Sequence, residues 1–170
     1  TTFGIATLAA NSANKVEAPQ AFQIQLGKVF NTYSAFTEAL AADNLQNAQK
    51  QSALMAEELK KLDHTTLSGE AHKIWMDALE NINDGMSAIR EAKDIVEVRA
   101  GLEPLSYGMI DAVEKLGIKS TKPVYEIFCP MAFDFKGAKW LQSDEDIRNP
   151  YFGEAMIQCG EVERQLKAGE

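Results

Sequence analysis

The feature that most constrains this fold is a repeat of apolar residues at alternating steps of three and four, which recurs in four separate stretches. This period places the apolar side chains on one face of an α-helix that packs against near-parallel neighbours. The repeats consist of Phe22, Leu26, Val29, Tyr33, Phe36 and Leu40; Leu45, Ala48, Ser52, Met55, Leu59 and Leu62; Trp75, Leu79, Ile82, Met86 and Ile89; and Val98, Leu102, Leu105, Met109, Ala112 and Leu116. The sequence therefore predicts four amphipathic helices.

The connections between these stretches are short, which favours antiparallel neighbours and an up-down-up-down four-helix bundle. Pro19 suits the first turn of a helix, and Gly117 stands where a C-terminal glycine cap is expected. Pro104 is expected to kink or divide the fourth helix. We predict one domain, with a tail over residues 1–18 that is disordered or a mature N-terminus, a bundle over 19–117 and a C-terminal segment over 118–170.

The C-terminal segment has no helical repeat. Residues 124–128 are typical of a short strand, Asn149-Pro150 predicts a turn, and residues 154–166 favour a short final helix. We expect this segment to pack on the bundle as an irregular strand, loop and helix. The predicted fold class is accordingly all-α.

Charge and hydropathy exclude several classes of partner. The net charge of −8 disfavours nucleic acid, because an acidic surface repels phosphate backbones. No run of apolar residues is long enough for a transmembrane segment. The chain begins at Thr1 and carries no basic segment of the kind that opens a signal peptide. We expect such a start either after signal cleavage or at the boundary of an excised domain.

The motifs of common enzyme classes are missing from the sequence. It has no glycine-rich phosphate loop, no HExxH, no GxSxG and no CxxC. We therefore expect that the protein is not an enzyme and has no catalytic residues.

Sulfur is concentrated in two short stretches of the C-terminal segment. Cys129 and Met131 lie two residues apart, and Met156 and Cys159 lie three apart. Thiolates and thioethers form a soft ligand set, which favours Cu(I) or Ag(I). Zinc would more often require four Cys or His ligands. We predict a metal site at these four residues, with His64 as a further candidate because the predicted topology brings the segment near it.

The same cysteines support a competing hypothesis. Two cysteines 30 positions apart in an exported protein often form a disulfide, which would stabilise the fold by roughly 3–4 kcal/mol on chain-entropy grounds. In that case the protein would bind no metal and would act as a structural or protein-interaction module. In either case we expect Asn149, Pro150 and Gly153 to shape the turn between the sulfur pairs, and Trp140 to be structural.

Four short motifs of the C-terminal segment carry a family resemblance. They read VYEIFCPMA at 124–132, GAKWLQS at 137–143, IRNPYFG at 147–153, and CGEV at 159–162 preceded by Met156. This signature resembles the domain of unassigned function that is found at the C-terminus of CusB-type periplasmic heavy-metal efflux adaptors. The same domain also occurs alone in exported proteins of Bacteroidetes.

The resemblance implies a periplasmic location, envelope association and a role in copper or silver handling. It also implies a partner, either an efflux adaptor or another envelope protein. It supplies no catalytic activity and no ligand set, so the ligands proposed above depend on residue chemistry. We therefore expect the protein to be a module that buffers a soft metal ion or delivers it to a heavy-metal efflux system.

Overall fold

A computed structural model describes residues 16–166, so the predicted tail lies largely outside the described part. Four long helices are present, as predicted: α1 (Gln20–Ala41), α2 (Leu45–Lys61), α3 (Gly69–Glu91) and α4 (Ile95–Leu116). Three strands follow: β1 (Val124–Cys129), β2 (Ala138–Gln142) and β3 (Glu161–Leu166). Short helical segments occur at His64–Thr66, Ala132–Phe135 and Gly153–Met156.

Neighbouring helices run antiparallel. The backbone N–H of Ala18 donates to the Leu116 carbonyl, and the Arg99 side chain donates to the Leu40 carbonyl. These two bonds join opposite ends of α1 and α4. Gln25, near the start of α1, likewise donates to the carbonyl of Lys61 at the end of α2.

The predicted apolar repeats are buried to different degrees. Every repeat residue of α1 and α4 is fully buried. In α2 and α3 the repeat residues Leu59, Leu79 and Met86 are only half-buried. The same sequence period therefore produces fully buried apolar faces on α1 and α4 and partly exposed apolar faces on α2 and α3.

Glycines set the close approach of α3 and α4. A Cβ added at Gly85 would lie 2.6 Å from both the Gly101 carbonyl oxygen and the Leu105 nitrogen. A Cβ at Gly108 would lie 2.6 Å from the Ala78 carbonyl oxygen. Any larger residue at these positions would push the helices apart. α4 also continues across Pro104 without being divided.

The prediction of an all-α fold is wrong: the chain is mainly helical with a C-terminal three-stranded antiparallel sheet, ordered β2-β1-β3. The strand expected at 124–128 is present. The helix expected over 154–166 is not; this stretch forms the short Gly153–Met156 segment and then β3.

The physical reason for this difference is strand pairing between distant segments. β3 pairs with the free edge of β1, with Glu126 opposite Arg164 and Phe128 opposite Glu161. This pairing satisfies backbone groups on both strands, whereas only Leu166 of β3 is buried. β3 is stabilised by pairing with the edge of β1 and by its charged residues. It has no alternation of apolar and polar residues, so the local sequence does not predict it as a strand.

The sheet is attached to the bundle through a buried tyrosine. Tyr33 of α1 shares a 2.8 Å hydrogen bond with Ser106 of α4, and its hydroxyl oxygen accepts from the Leu141 N–H of β2 at 3.1 Å. Burial raises the pKa of Tyr33 to about 12, so this hydroxyl stays protonated. Three elements therefore meet at one neutral group.

A charge network connects the strands to each other and to α4. The fully buried carboxylate of Glu126 accepts from Lys139 of β2 and Arg164 of β3, each at 2.7 Å. Arg164 also contacts Glu114 of α4 at 2.5 Å, and Lys139 contacts Glu163 at 2.5 Å. Burial by itself would raise the pKa of Glu126, but the two cationic donors outweigh it and lower that pKa.

Candidate functional site

The fold brings the two cysteines into contact. Cys129 at the end of β1 and Cys159 just before β3 have sulfur atoms 3.0 Å apart, and both are free thiols. Cys129 is fully buried, whereas Cys159 is half-exposed. Access to the sulfur pair is therefore from the side of Cys159.

The loop after Cys129 brings the backbone of Met131 to Cys159. Pro130 has no N–H and ends the strand, and residues 133–135 then adopt left-handed backbone angles with φ of 51–64°. The turn closes with the Gly137 N–H donating to the Ala132 carbonyl at 2.9 Å. Met131 enters this turn, and its backbone N–H donates to the Cys159 sulfur.

Burial and the neighbouring thiol together hold Cys159 in its protonated form. Desolvation, followed by the hydrogen bond to Cys129, raises the pKa of Cys159 to about 11, and the N–H of Met131 offsets this only in part. A thiolate–thiolate pair would need a cation to be stable here. A bound cation would therefore have to displace at least this proton.

Both methionines that were predicted as ligands have backbone groups next to Cys159. Met131 is half-buried and packs against the core. Met156 is also half-buried, and its carbonyl accepts from the Cys159 N–H at 3.0 Å. Both predicted thioethers thus belong to residues whose backbones contact Cys159.

Asn149 organises the loop that carries Cys159. Its buried side chain donates to the Cys159 carbonyl at 2.6 Å and accepts from the N–H groups of Tyr151 and Phe152. Its backbone N–H donates to the Ile157 carbonyl at 2.7 Å. Asn149 therefore joins both ends of the loop over 149–159.

An ionic clamp, Asp43–Arg99, fixes this loop to the end of the bundle. Arg99 of α4 donates to Asp43 at 2.6 Å and to the carbonyl of buried Pro150 at 2.8 Å. The other Asp43 oxygen accepts from the Glu154 N–H at 3.0 Å. The Arg99 bond also lowers the pKa of Asp43.

Gly153 fits inside this clamp because it lacks a side chain. Its φ is +61°, and an added Cβ would collide with Asp43 and Arg99. The sequence does not reveal this clamp. Asp43 lies between α1 and α2 with a positive φ of 53°, which is typical of a turn residue, but its charge partner is 56 positions away.

Aromatic residues pack against the residue that follows Cys159. Trp140 is fully buried and lies edge-on to Tyr151, which in turn lies edge-on to Phe133. An added Cβ on Gly160 would sit 3.0 Å from the Trp140 ring, so the residue after Cys159 packs directly on the indole. The structural role expected for Trp140 stays a prediction.

His64 lies at the other end of the bundle. The backbone N–H of Asp63 donates to Gln25 near the start of α1, whereas the loop at Pro150 adjoins Arg99 and Leu40 at the end of α1. About fifteen residues of helix separate Gln25 from Leu40, which corresponds to about 22 Å. The structure therefore does not bring His64 to the cysteines.

The ligand chemistry available at the cysteines is correspondingly narrow. Within residues 16–166, no three or more His, Cys, Asp or Glu side chains are grouped as a metal site. Two thiols fit a soft ion of low coordination number, whereas a structural zinc site usually has four Cys or His ligands. None of the helices in the described region is both long and apolar enough to span a membrane.

The comparisons with known proteins give a family but no function. Residues 29–121 match a family described as protein of unknown function (DUF3347), and since this is more than half of the chain, the protein belongs to that family. The match covers most of the helical part and ends before the sulfur-bearing motifs. No curated protein and no solved structure matches the chain significantly.

Proposed function

We propose that this protein is a periplasmic soft-metal-binding module that holds Cu(I) or Ag(I) through Cys129 and Cys159. Met131 and Met156 supply further sulfur ligands. The module buffers the ion or delivers it to a heavy-metal efflux system, whose adaptor or another envelope protein is the partner. The role is binding rather than catalysis.

The observation that carries this proposal is the 3.0 Å contact between the two cysteine sulfurs. A metal–thiolate bond is about 2.3 Å long, so a linear two-coordinate ion separates its sulfurs by about 4.6 Å. The pair must therefore open by more than 1 Å on binding. The side chain of Cys159 is the one that moves, because it is half-exposed whereas Cys129 is fully buried.

The surroundings support a site protected from water on one side. Cys129 and Trp140 are fully buried, and the clamp through Arg99 and Asp43 fixes the loop behind Cys159. Burial keeps a thiol neutral in the absence of a cation, which limits oxidation, since the thiolate is the reactive form. The resemblance of the sulfur-bearing motifs to efflux-adaptor domains supports the choice of Cu(I) or Ag(I).

The test is an anaerobic titration of reduced protein with Cu(I) against a competing chelator. We expect one equivalent to bind, and the Cys129→Ser, Cys159→Ser double variant to bind at least a hundredfold more weakly. Met131→Leu and Met156→Leu should weaken binding by up to tenfold. Met76→Leu, an exposed methionine on α3, is the matched control and should leave the affinity unchanged. Wild-type affinity in the double serine variant would overturn the proposal.

The alternative is a structural or protein-interaction module with a Cys129–Cys159 disulfide, which the short sulfur separation also permits. Thiols counted under denaturing conditions in freshly isolated protein separate the two functions. Two free thiols support metal binding. A disulfide that resists mild reductant supports the alternative and contradicts the metal proposal.

A further inference from the structure

The two histidines meet at the end of the bundle away from the cysteines. His64 lies in the short helical segment after α2, and His72 lies in the first turn of α3. Their ring centroids are 5.9 Å apart with the planes tilted by 46°. Both residues are half-buried.

The separation of the rings matches a shared metal ion. A metal–imidazole bond is about 2.0 Å long and a ring nitrogen lies about 1 Å from its centroid, so two rings on one ion have centroids within about 6 Å. The observed 5.9 Å is at the upper end of this range, and a tetrahedral ion would draw the two rings about 1 Å closer together.

A second observation points to a ligand at this position. Nδ1 of His64 is buried and has no hydrogen-bond partner among the described residues. A buried polar atom without a partner is destabilising, and coordination would satisfy it. Asp63 precedes His64 in the chain, and its carboxylate accepts from the N–H and the hydroxyl of Thr65.

A groove between α2 and α3 reaches His64. It has a volume of about 980 Å³, and His64 lines it together with the half-buried Leu59, Leu79 and Met86. A cation in this groove can therefore approach His64, while His72 lies behind His64 at ring-contact distance.

We propose that His64 and His72 form a second metal site, separate from the cysteines, for a borderline divalent cation such as Zn²⁺ or Cu²⁺. Imidazole ligands suit these ions, whereas the sulfur pair suits Cu(I). The site does not depend on the proposed function, because it shares no residue with it. The molecule thus carries a soft site at one end and an imidazole site at the other.

The test uses the full chain carrying Cys129→Ser and Cys159→Ser, so that Zn²⁺ has no thiol to bind. Zn²⁺ is added at pH 7.5 while the imidazole nitrogen signals of both histidines are followed by NMR. We expect both rings to shift together and to saturate at one equivalent. A shift of His72 alone, or no saturable shift, would overturn the proposal.

Affinity measurements on variants give an independent readout. His64→Gln and His72→Gln should each weaken Zn²⁺ binding at least tenfold, with circular dichroism checking that the fold is retained. Lys73→Gln, an exposed neighbour of His72, is the control and should not change the affinity. Equal affinity in the histidine variants and the control would contradict a shared site, and the NMR titration decides if a variant does not fold.

Discussion

The two faces of the helical bundle differ in what covers them. The α1–α4 face lies beneath the sheet, with the Tyr33 hydroxyl bonded both to Ser106 of α4 and to the Leu141 N–H of β2, and its apolar repeats are fully buried. The α2–α3 face carries the open groove, and its repeat residues Leu59 and Met86 are half-buried. An apolar period in the sequence therefore predicts which face of a helix points toward the core. How deeply that face is buried depends on the elements that pack against it in the tertiary structure.

The largest expected difference between the two faces is the loss of stability when a leucine is truncated to alanine. Leu141→Ala, at a fully buried residue of β2, should lower the free energy of unfolding by about 3–4 kcal/mol, because it leaves a cavity. Leu79→Ala, in the groove, should cost about 1 kcal/mol, because solvent already reaches that side chain. Urea denaturation measures both. Equal losses would show that the groove is closed in solution.

The next effect concerns the buried carboxylate of Glu126. Glu126→Gln should lower the free energy of unfolding at pH 7 by about 2 kcal/mol, since Lys139 and Arg164 lose a buried anionic partner. The lowered pKa of Glu126 means that this stabilisation is present above the unfolded pKa near 4.5 and is lost as the pH falls below it.

The variant should therefore show a flatter acid limb in urea midpoints measured between pH 7 and 3. The matched change Glu57→Gln, at an exposed ion pair on α2, should have a much smaller effect at pH 7. An acid limb as steep as that of the wild type would contradict the role given to Glu126.

A smaller effect is expected at the junction of the sheet and the bundle. Tyr33→Phe should cost about 1.5 kcal/mol, because it leaves the Leu141 N–H and the Ser106 hydroxyl without this buried partner. Tyr107→Phe, at a partly exposed tyrosine on α4, should stay within about 0.5 kcal/mol of wild type. Thermal melts followed by circular dichroism compare the two, and indistinguishable melting temperatures would exclude an energetic role for this junction.

A different quantity, the pH dependence of the Cu(I) affinity, tests the proposed cysteine site. The pKa of Cys159 is raised to about 11, so Cu(I) binding must release its proton throughout the neutral range. For each proton that binding releases, the Cu(I) affinity should therefore rise about tenfold per pH unit between pH 6 and pH 9. Chelator competition at each pH measures this slope. An affinity independent of pH would mean that the thiol proton is not displaced.

The sequence predicted the secondary structure of the helical part better than that of the C-terminal segment. The four helices, the glycine cap at Gly117 and the strand at 124–128 followed from local patterns, since helix periodicity and capping involve residues a few positions apart. The proposed grouping of sulfurs followed from residue chemistry. Its geometry did not, because Cys129 and Cys159 meet only when β3 pairs with β1.

The sequence by itself determined the helices, because their apolar period is a local property of each stretch. Only the tertiary structure decided that residues 161–166 become a strand, that Arg99 reaches Asp43 and Pro150, and that His64 lies beside His72 rather than beside Cys159. These outcomes depend on contacts between residues distant along the chain, where strand edges and buried charges must find partners.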